Sequence, residues 1–211
     1  YTPTEGDVMI RPDGDDASTE RINGLKPNLV TRKGLARTFQ NIRLFSSMTV
    51  LENVMIGCHP VTSAGVLGAV FRGKTTVEEE QFIVDKSYTI LKKIGLERYV
   101  DELALNLPYG AQRLLEIARA MATDPFLLLL DEPAAGMNPN ETQQLNELIL
   151  QIRDEEKISI LLIEHDMKLV MTLSENIFVV DYGKKIGEGT PEDILNNPVV
   201  VKAYLGEEID A

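Results

Sequence analysis

The sequence has little cysteine, no tryptophan and no long apolar run. Cys58 is the single cysteine among 211 residues, which excludes a disulfide framework and is typical of a reducing compartment. No apolar stretch approaches the roughly 18 residues that a membrane-spanning helix requires, so any membrane role is expected to act through partners. The first residues also lack the basic segment and apolar core of a secretory signal.

Basic residues are outnumbered in this chain. The 21 Lys and Arg residues stand against 33 Asp and Glu residues, which gives a formal net charge of −12. This balance argues against a broad nucleic-acid surface, because a basic face is needed to neutralise phosphates. It does not exclude the binding of one nucleotide, which depends on a few local groups. With 44% hydrophobic residues, the chain is long enough to form one well-cored domain.

Strand and helix patterns alternate through the second half of the chain. Apolar runs at 126–130 and 158–163 predict two buried strands, and the first run is typical of a strand covered on both faces in a parallel sheet. Between them, Asn138-Pro139-Asn140-Glu141 predicts a capped helix start. A hairpin is expected over 177–186 and a terminal helix from Thr190. This order indicates an α/β sheet with crossover helices.

Helices are also predicted in the first half. The segment Thr49-Val50-Leu51-Glu52 has the pattern of a capping box, so a helix should begin at Val50. A second helix is expected over 78–94, before Gly95. From 111 to 122 the apolar residues fall on one helical face, and the opposite face carries Gln112, Glu116 and Arg119.

Two adjacent carboxylates, Asp131 and Glu132, follow the predicted strand at 126–130. Open α/β sheets bind ligands at the carboxyl ends of their strands. An acidic pair at this place suits phosphoryl chemistry, because one carboxylate can hold Mg²⁺ while the other orients and deprotonates an attacking water. Taken alone, the pair is better explained as the acidic end of a strand at the surface.

Three further residues occur in the order that this chemistry needs. Gln40 stands in an early loop, Gly110 opens a helix, and His165 follows the strand at 158–163. The start of a helix offers free backbone N–H groups to a phosphate, and a histidine can hydrogen-bond a phosphate oxygen or position water. Each has a simpler explanation, as a polar loop residue or a surface histidine. Their joint occurrence in this order favours a nucleotide site.

Together these segments resemble the nucleotide-binding subunits of ABC transporters over essentially the whole chain. The resemblance identifies Gln40 as the Q-loop glutamine, Leu107–Gln112 as the signature, Leu127–Glu132 as Walker B, Ala134–Asn138 as the D-loop and His165 as the switch histidine. The stretches at 36–45, 49–54, 106–110 and 132–139, with the tail at 187–191 and 203–206, are similar to the branched-chain amino acid importers of that family.

This resemblance implies an α/β fold of the P-loop NTPase (RecA-like) type. Its parallel-sheet core and antiparallel β segment would cover 1–40 and 125–211, and an ABC helical subdomain carrying the signature would cover 41–124. It also implies ATP and Mg²⁺ as cofactors. The implied site residues are Glu132 and His165 for catalysis, Asp131 and Gln40 for the metal, and Gln40, Leu107, Pro108, Tyr109, Gly110, Ala111, Gln112 and Asn138 for the nucleotide.

The implied function is an ATP-hydrolysing subunit that energises the import of branched-chain amino acids. Two cassettes, identical or different, would bind ATP between them at the cytoplasmic face of the inner membrane. Transmembrane permease subunits would be the direct partners and an external binding protein an indirect one. Two positions depart from the general pattern, since Pro108 replaces the usual signature serine and Asn138 the usual D-loop aspartate.

The Walker A loop of the family precedes the region that matches Tyr1, so we expect a cassette truncated before or at Walker A. A formal match, G-x-x-x-x-G-K-T, occurs at 68–75. No strand pattern precedes it, Val70 and Phe71 resist the tight bend of a phosphate cradle, and it lies between the Q-loop and the signature. We therefore interpret its end as a solvated turn and expect weak ATP binding by this chain alone. Two alternatives stay open: a truncated, non-hydrolytic interaction module, or a soluble ABC ATPase outside transport.

Overall fold

The computed structural model describes residues 3–59 and 74–205. The chain divides after Ile163 into a first unit, residues 1–163, and a second unit, residues 164–211. The sequence predicted a different division, with a core of residues 1–40 and 125–211 and a helical subdomain of residues 41–124. That division stays a prediction. Within the described ranges no helix combines the length and the apolar character that crossing a bilayer requires.

The first unit contains an antiparallel pair of strands and a parallel sheet. The pair is formed by β1 (Met9–Ile10) and β2 (Glu20–Arg21). The sheet consists of β3 (Leu35–Arg37), β4 (Leu127–Asp131) and β5 (Ser159–Ile163), with β4 in the centre. Its parallel pairing confirms the predicted α/β class, and it brings the carboxyl ends of the three strands to one edge.

The two faces of this sheet differ in burial, and here part of the sequence prediction is wrong. Ala36, Leu128 and Leu130 share one face and are buried. On the other face, Leu161 and Ile163 of β5 are 46% and 50% exposed. The apolar runs predicted complete burial, but the side chains of β4 alternate between partly and fully buried, and those of β5 between exposed and partly buried, because successive side chains of a strand point to opposite faces of the sheet.

The helices of the first unit confirm most of the predicted starts. Helix α2 begins at Val50, where the Thr49 hydroxyl accepts a hydrogen bond from the Glu52 N–H at 3.1 Å and the Glu52 carboxylate accepts one from the Thr49 N–H at 2.8 Å. This is the predicted capping box. In the described residues of this unit the helices are α1 (Pro27–Arg32), α2 (Val50–Cys58), α3 (Lys74–Lys93), α4 (Tyr109–Met121) and α5 (Pro139–Glu155), with 3-10 turns at Asp16–Ser18, Glu97–Tyr99 and Ala104–Asn106.

Helix α3 begins at Lys74, earlier than the predicted residue 78. Residues 68–73 of the formal phosphate-loop match lie outside the described residues. Lys74 and Thr75, the last two residues of the match, belong to α3. The prediction of a solvated turn is therefore wrong for Lys74 and Thr75. The helix begins before the first residue of its apolar pattern, so the pattern alone placed its start too late.

The second unit is a hairpin packed against short helices. It contains α6 (Met167–Leu173), β6 (Ile177–Asp181), β7 (Lys184–Gly189), α7 (Pro191–Leu195) and α8 (Pro198–Leu205). The Asp166 carboxylate caps α6, and Thr190 caps α7. A small core forms from the inner residues Ile177, Val179, Ile194 and Val200. The predicted hairpin and terminal helix are confirmed.

Close packing of α2 on α4 depends on Gly57. A Cβ atom at this position would lie 2.3 Å from the Arg119 carbonyl oxygen and 2.9 Å from the Ala122 Cβ. The backbones of the two helices therefore approach each other at a point where only a hydrogen atom fits. Since a main-chain oxygen cannot rotate away as a side chain can, a larger residue must push the helices apart.

We expect Gly57→Ala to destabilise the full-length protein by about 2 kcal/mol, the usual cost of overpacking a core. The measurement is the free energy of unfolding by urea. Lys92→Ala, on the exposed side of α3, is the control and should stay within about 0.5 kcal/mol of wild type. Equal stabilities of Gly57→Ala and wild type would contradict the close approach.

Candidate functional site

The carboxylates at the end of β4 each have a side-chain partner, Arg37 at the end of β3 for Asp131 and Gln40 in the following loop for Glu132. The Asp131 Oδ2 accepts a hydrogen bond from the Arg37 Nη2 at 2.8 Å. The Glu132 Oε2 accepts one from the Gln40 Nε2 at 2.9 Å. The structure thus brings together Gln40, Asp131 and Glu132, which the sequence assigned to one site, and adds Arg37, which it did not.

The backbone turns out of the strand at Glu132. This residue has φ of 45°, in the left-handed region that residues other than glycine rarely adopt. Its N–H donates to the Ile163 carbonyl oxygen at 2.9 Å, which ties the turn to β5. The strained turn aims the two carboxylates at different partners, Asp131 at Arg37 and Glu132 at Gln40. Strained backbone of this kind is often found where a side chain must be held in a functional position.

Arg113 of α4 is the functional candidate that the sequence reasoning missed. Its side chain is fully buried. Its Nη1 donates to the Phe39 carbonyl oxygen at 2.7 Å, and its Nη2 donates to the Gln40 carbonyl oxygen at 2.8 Å. A buried cation is costly unless it is paired and hydrogen-bonded, so this side chain holds the backbone of the Q-loop firmly on α4.

Glu116 supplies the negative charge that pairs with Arg113. The prediction that Glu116 lies on the polar, solvent-facing side of the helix is wrong. The helical pattern placed Glu116 on the polar face of α4, whereas the side chain is 2% exposed. Its Oε2 lies 3.2 Å from the Arg113 Nη1, and its Oε1 accepts from the Arg43 N–H at 3.3 Å. Periodicity alone could not show that a loop packs on this face. The signal that was available is the opposite charge three residues earlier on the same helix.

The signature residues at the start of α4 contact the loop after β4. The Tyr109 hydroxyl donates to the Ala135 carbonyl oxygen at 2.9 Å. Pro108 is the N-cap and has no side chain that can cap the helix. The Gln112 Nε2 donates to the Leu107 carbonyl oxygen at 2.9 Å, which closes the turn into α4. The first N–H groups of this helix are thus not satisfied by an N-cap side chain, the arrangement that binds anions elsewhere.

Asn138 begins α5 with a complete capping box. Its Oδ1 accepts from the N–H groups of Asn140 and Glu141 at 3.0 and 3.1 Å, and the Glu141 Oε2 accepts from the Asn138 N–H at 2.9 Å. A Cβ atom at Gly110 would lie 2.6 Å from the Glu141 Oε1. The starts of α4 and α5 therefore touch through Glu141, and Ala111 follows directly in α4.

His165 lies in the second unit, exposed to solvent, and its backbone N–H donates to the Glu164 Oε2 at 3.3 Å. Its catalytic role stays a prediction. In residues 3–59 and 74–205 no group of three or more His, Cys, Asp and Glu side chains is arranged to hold a metal ion. The predicted metal residues Asp131 and Gln40 have different partners, Arg37 and Glu132.

Aromatic rings and guanidinium groups stand together beside the Q-loop. The Arg43 guanidinium lies 4.8 Å from the centre of the Phe39 ring, and that of Arg119 lies 5.6 Å from the centre of the Phe45 ring. Phe39 and Phe45 are 38% and 48% exposed. Burial lowers the pKa of Arg119, and the nearby Glu116 carboxylate opposes that shift. We call this group of four residues the Q-loop patch.

Solved structures with the same fold are ATP-binding cassettes. The ADP conformation of MJ1267, described as an ATP-binding cassette of an ABC transporter, matches with a TM-score of 0.72 and 32% identity over 89% of this chain and 74% of that one. A nucleotide-free ATP-binding cassette from an ABC transporter matches with a TM-score of 0.71 and 33% identity, over 89% of this chain and 75% of that one. The fold and the site define the class of nucleotide-binding cassettes.

Sequence comparisons give the family. The ABC transporter model matches residues 1–135, and the model of the branched-chain amino acid ATP-binding cassette transporter matches 184–210. High-affinity branched-chain amino acid transport ATP-binding protein LivG of Escherichia coli K12 is 44% identical, and BraF of Pseudomonas aeruginosa is 45% identical, each over 98% of this chain and 78% of the relative. The chain belongs to the ABC transporter family, in its branched-chain amino acid branch.

The contact between Gly110 and Glu141 predicts that these two positions are coupled. Gly110→Ala should push the Glu141 carboxylate away from the Asn138 N–H and cost about 1 kcal/mol of capping free energy. In a Glu141→Ala background this cost should vanish, so a double-mutant cycle should give a coupling of about 0.5–1 kcal/mol. The measurement is the free energy of unfolding of the full-length protein.

A control double-mutant cycle combines Gly110→Ala with Gln144→Ala, which lies one turn further along α5. The two substitutions should change the free energy of unfolding additively. Additivity within about 0.3 kcal/mol for Gly110 and Glu141 themselves would contradict the contact.

Proposed function

We propose that this protein is the ATP-hydrolysing subunit that energises an importer of branched-chain amino acids. Its relatives LivG and BraF are named as high-affinity branched-chain amino acid transport ATP-binding proteins, which supports this proposal. The observation that carries the proposal is the contact between Gln40 and Glu132 at the carboxyl end of β4. A carboxylate held there by an amide can orient a water and accept its proton, as phosphoryl transfer to water requires.

In the proposed mechanism Glu132 is the general base and Gln40 holds its Oε2. The hydrogen bond from Gln40 fixes the direction of the carboxylate, which follows a left-handed turn of the backbone at Glu132. His165 is proposed as a second catalytic residue. Asp131 fits a magnesium ion, because carboxylate oxygens are hard ligands and Mg²⁺ takes few of them from the protein. The ion would neutralise charge on the phosphates of ATP.

The nucleotide contacts are proposed to come from two cassettes. The signature, Leu107–Gln112, and Asn138 would face ATP bound to the partner cassette, and the free N–H groups at the start of α4 support this role. In this proposal 1–40 with 125–211 forms the nucleotide-binding core and 41–124 forms the helical subdomain.

The Q-loop patch is proposed to face the transmembrane permease subunits. Aromatic residues and arginine are enriched at protein interfaces, and Phe39 of this patch directly precedes Gln40, the residue that contacts Glu132. The protein would then act as a peripheral subunit at the cytoplasmic face of the membrane, with an external binding protein as an indirect partner.

Replacement of Glu132 by glutamine tests the proposed base. Glu132→Gln keeps the shape of the side chain but removes proton acceptance, so hydrolysis by the full-length protein should fall by about 10²–10⁴-fold. Association of two cassettes on ATP should persist, as measured by size-exclusion chromatography. Glu147→Gln, an exposed position on α5, is the matched control and should keep wild-type turnover. Unchanged turnover in Glu132→Gln would refute the role as base.

The ion pair between Arg37 and Asp131 predicts a change in magnesium dependence. Arg37→Ala removes the cation that partly neutralises Asp131, so half-saturating Mg²⁺ for ATP hydrolysis should fall about two- to fivefold, as expected for a partly exposed pair. Arg21→Ala breaks the exposed pair with Asp7 and should leave the titration unchanged. A higher or unaltered Mg²⁺ requirement in Arg37→Ala would contradict this prediction.

A further inference from the structure

We propose that Tyr109 and Arg113 form a relay that links the Q-loop glutamine to the D-loop, so that each ATP site reports its state to the other. The proposal rests on the two-cassette ATPase proposed above. It assigns a positioning role to two residues of α4, one in the signature and one just after it. The relay is part of a closed ring of hydrogen bonds through Gln40, Glu132 and Ala135.

The first part of the ring ties Arg113 to the Q-loop. The Arg113 Nη2 donates to the Gln40 carbonyl oxygen at 2.8 Å and to the Tyr109 hydroxyl at 3.4 Å. Because Arg113 is fully buried, water cannot replace either partner. A shift of the Gln40 backbone therefore either moves the guanidinium group or breaks its hydrogen bond to the Gln40 carbonyl oxygen.

The second part ties Tyr109 to the D-loop. Its hydroxyl accepts from Arg113 and donates to the Ala135 carbonyl oxygen at 2.9 Å. Its ring also lies against Gly136, where a Cβ atom would come within 3.2 Å of the ring and where φ is 78°. A hydroxyl that accepts from a guanidinium donates more strongly, since linked hydrogen bonds polarise one another. Movement of Tyr109 is thus passed to Ala135 and Gly136.

The ring closes at Glu132. The Ala135 N–H donates to the Glu132 carbonyl oxygen at 3.2 Å, and the Glu132 carboxylate accepts from the Gln40 side chain at 2.9 Å. The proposed base is therefore held from both sides, by the Q-loop and by the D-loop. A displacement of the Gln40 backbone by a γ-phosphate would act on two bonds at once, the one from Arg113 to the Gln40 carbonyl oxygen and the one from the Gln40 side chain to Glu132.

The relay ends at the surface proposed to meet the partner cassette. Tyr109 is 44% exposed, and it stands in the signature next to the first N–H groups of α4. Binding at the site of Gln40 and Glu132 would set the position of Tyr109 and the D-loop, both proposed to face the ATP of the other cassette. The chemical consequence is cooperative hydrolysis by the two sites.

Tyr109→Phe tests the relay, because it keeps the ring on Gly136 and removes only the hydroxyl. The rate of ATP hydrolysis by the full-length protein in its assembled transporter is measured against ATP concentration. We expect the Hill coefficient to fall from near 2 to about 1, the loss of a coupling that is usually worth about fivefold or more in affinity between sites, and kcat to fall with it. The melting temperature and the ATP affinity of the separate full-length subunit should stay at wild-type values.

Tyr88→Phe removes an equivalent hydroxyl from the exposed side of α3 and should keep the wild-type Hill coefficient and kcat. Arg113→Lys should reproduce the loss of cooperativity, but the test is decided by Tyr109→Phe because that change leaves the buried guanidinium group in place.

The outcomes separate the relay from the function on which it rests. Cooperative wild-type hydrolysis with an unaltered Hill coefficient in Tyr109→Phe overturns the relay and leaves the ATPase intact. Non-cooperative wild-type hydrolysis also overturns the relay alone, as does a parallel loss of melting temperature in Tyr109→Phe. Absence of hydrolysis in wild type overturns the proposed function and the relay with it.

Discussion

The buried guanidinium of Arg113 is the interaction on which the arrangement of the site depends. It is a fully enclosed cation with hydrogen bonds to the Phe39 and Gln40 carbonyl oxygens and a carboxylate partner in Glu116. Loss of a partner from a buried charge costs about 3–5 kcal/mol, so the helix and the loop are fixed to each other. The position of Gln40, and through it of the Glu132 carboxylate, follows from this one side chain.

Local signals in the sequence predicted the elements well. The capping boxes at Thr49 and Asn138 involve residues three positions apart, and both are present in the structure. The apolar run at 126–130 corresponds to strand β4 in the structure. The carboxylates that follow this run lie at the edge of the sheet where Gln40 donates a hydrogen bond to Glu132. These predictions succeed because strand ends and helix starts depend on neighbouring residues, and a parallel sheet brings strand ends together.

Features that depend on distant contacts could not be predicted in the same way. The burial of Arg113 and Glu116 requires the backbone of the loop after β3, more than seventy positions away in sequence, to pack on α4. The exposure of Leu161 and Ile163 depends on which elements cover the sheet, and an apolar pattern in β5 does not contain that information. The pairing of Asp131 with Arg37 likewise joins two strands that are adjacent only in the fold.

Hydrogen exchange at the Arg43 amide tests the central claim most directly. This amide donates to Glu116, which is held by Arg113, and it reports whether the guanidinium fixes the loop. In Arg113→Lys the exchange of the 39–43 segment of the full-length protein should accelerate by about tenfold or more, while the amides of β4 keep wild-type rates. Unchanged exchange at 39–43, with the protein folded, would contradict the account.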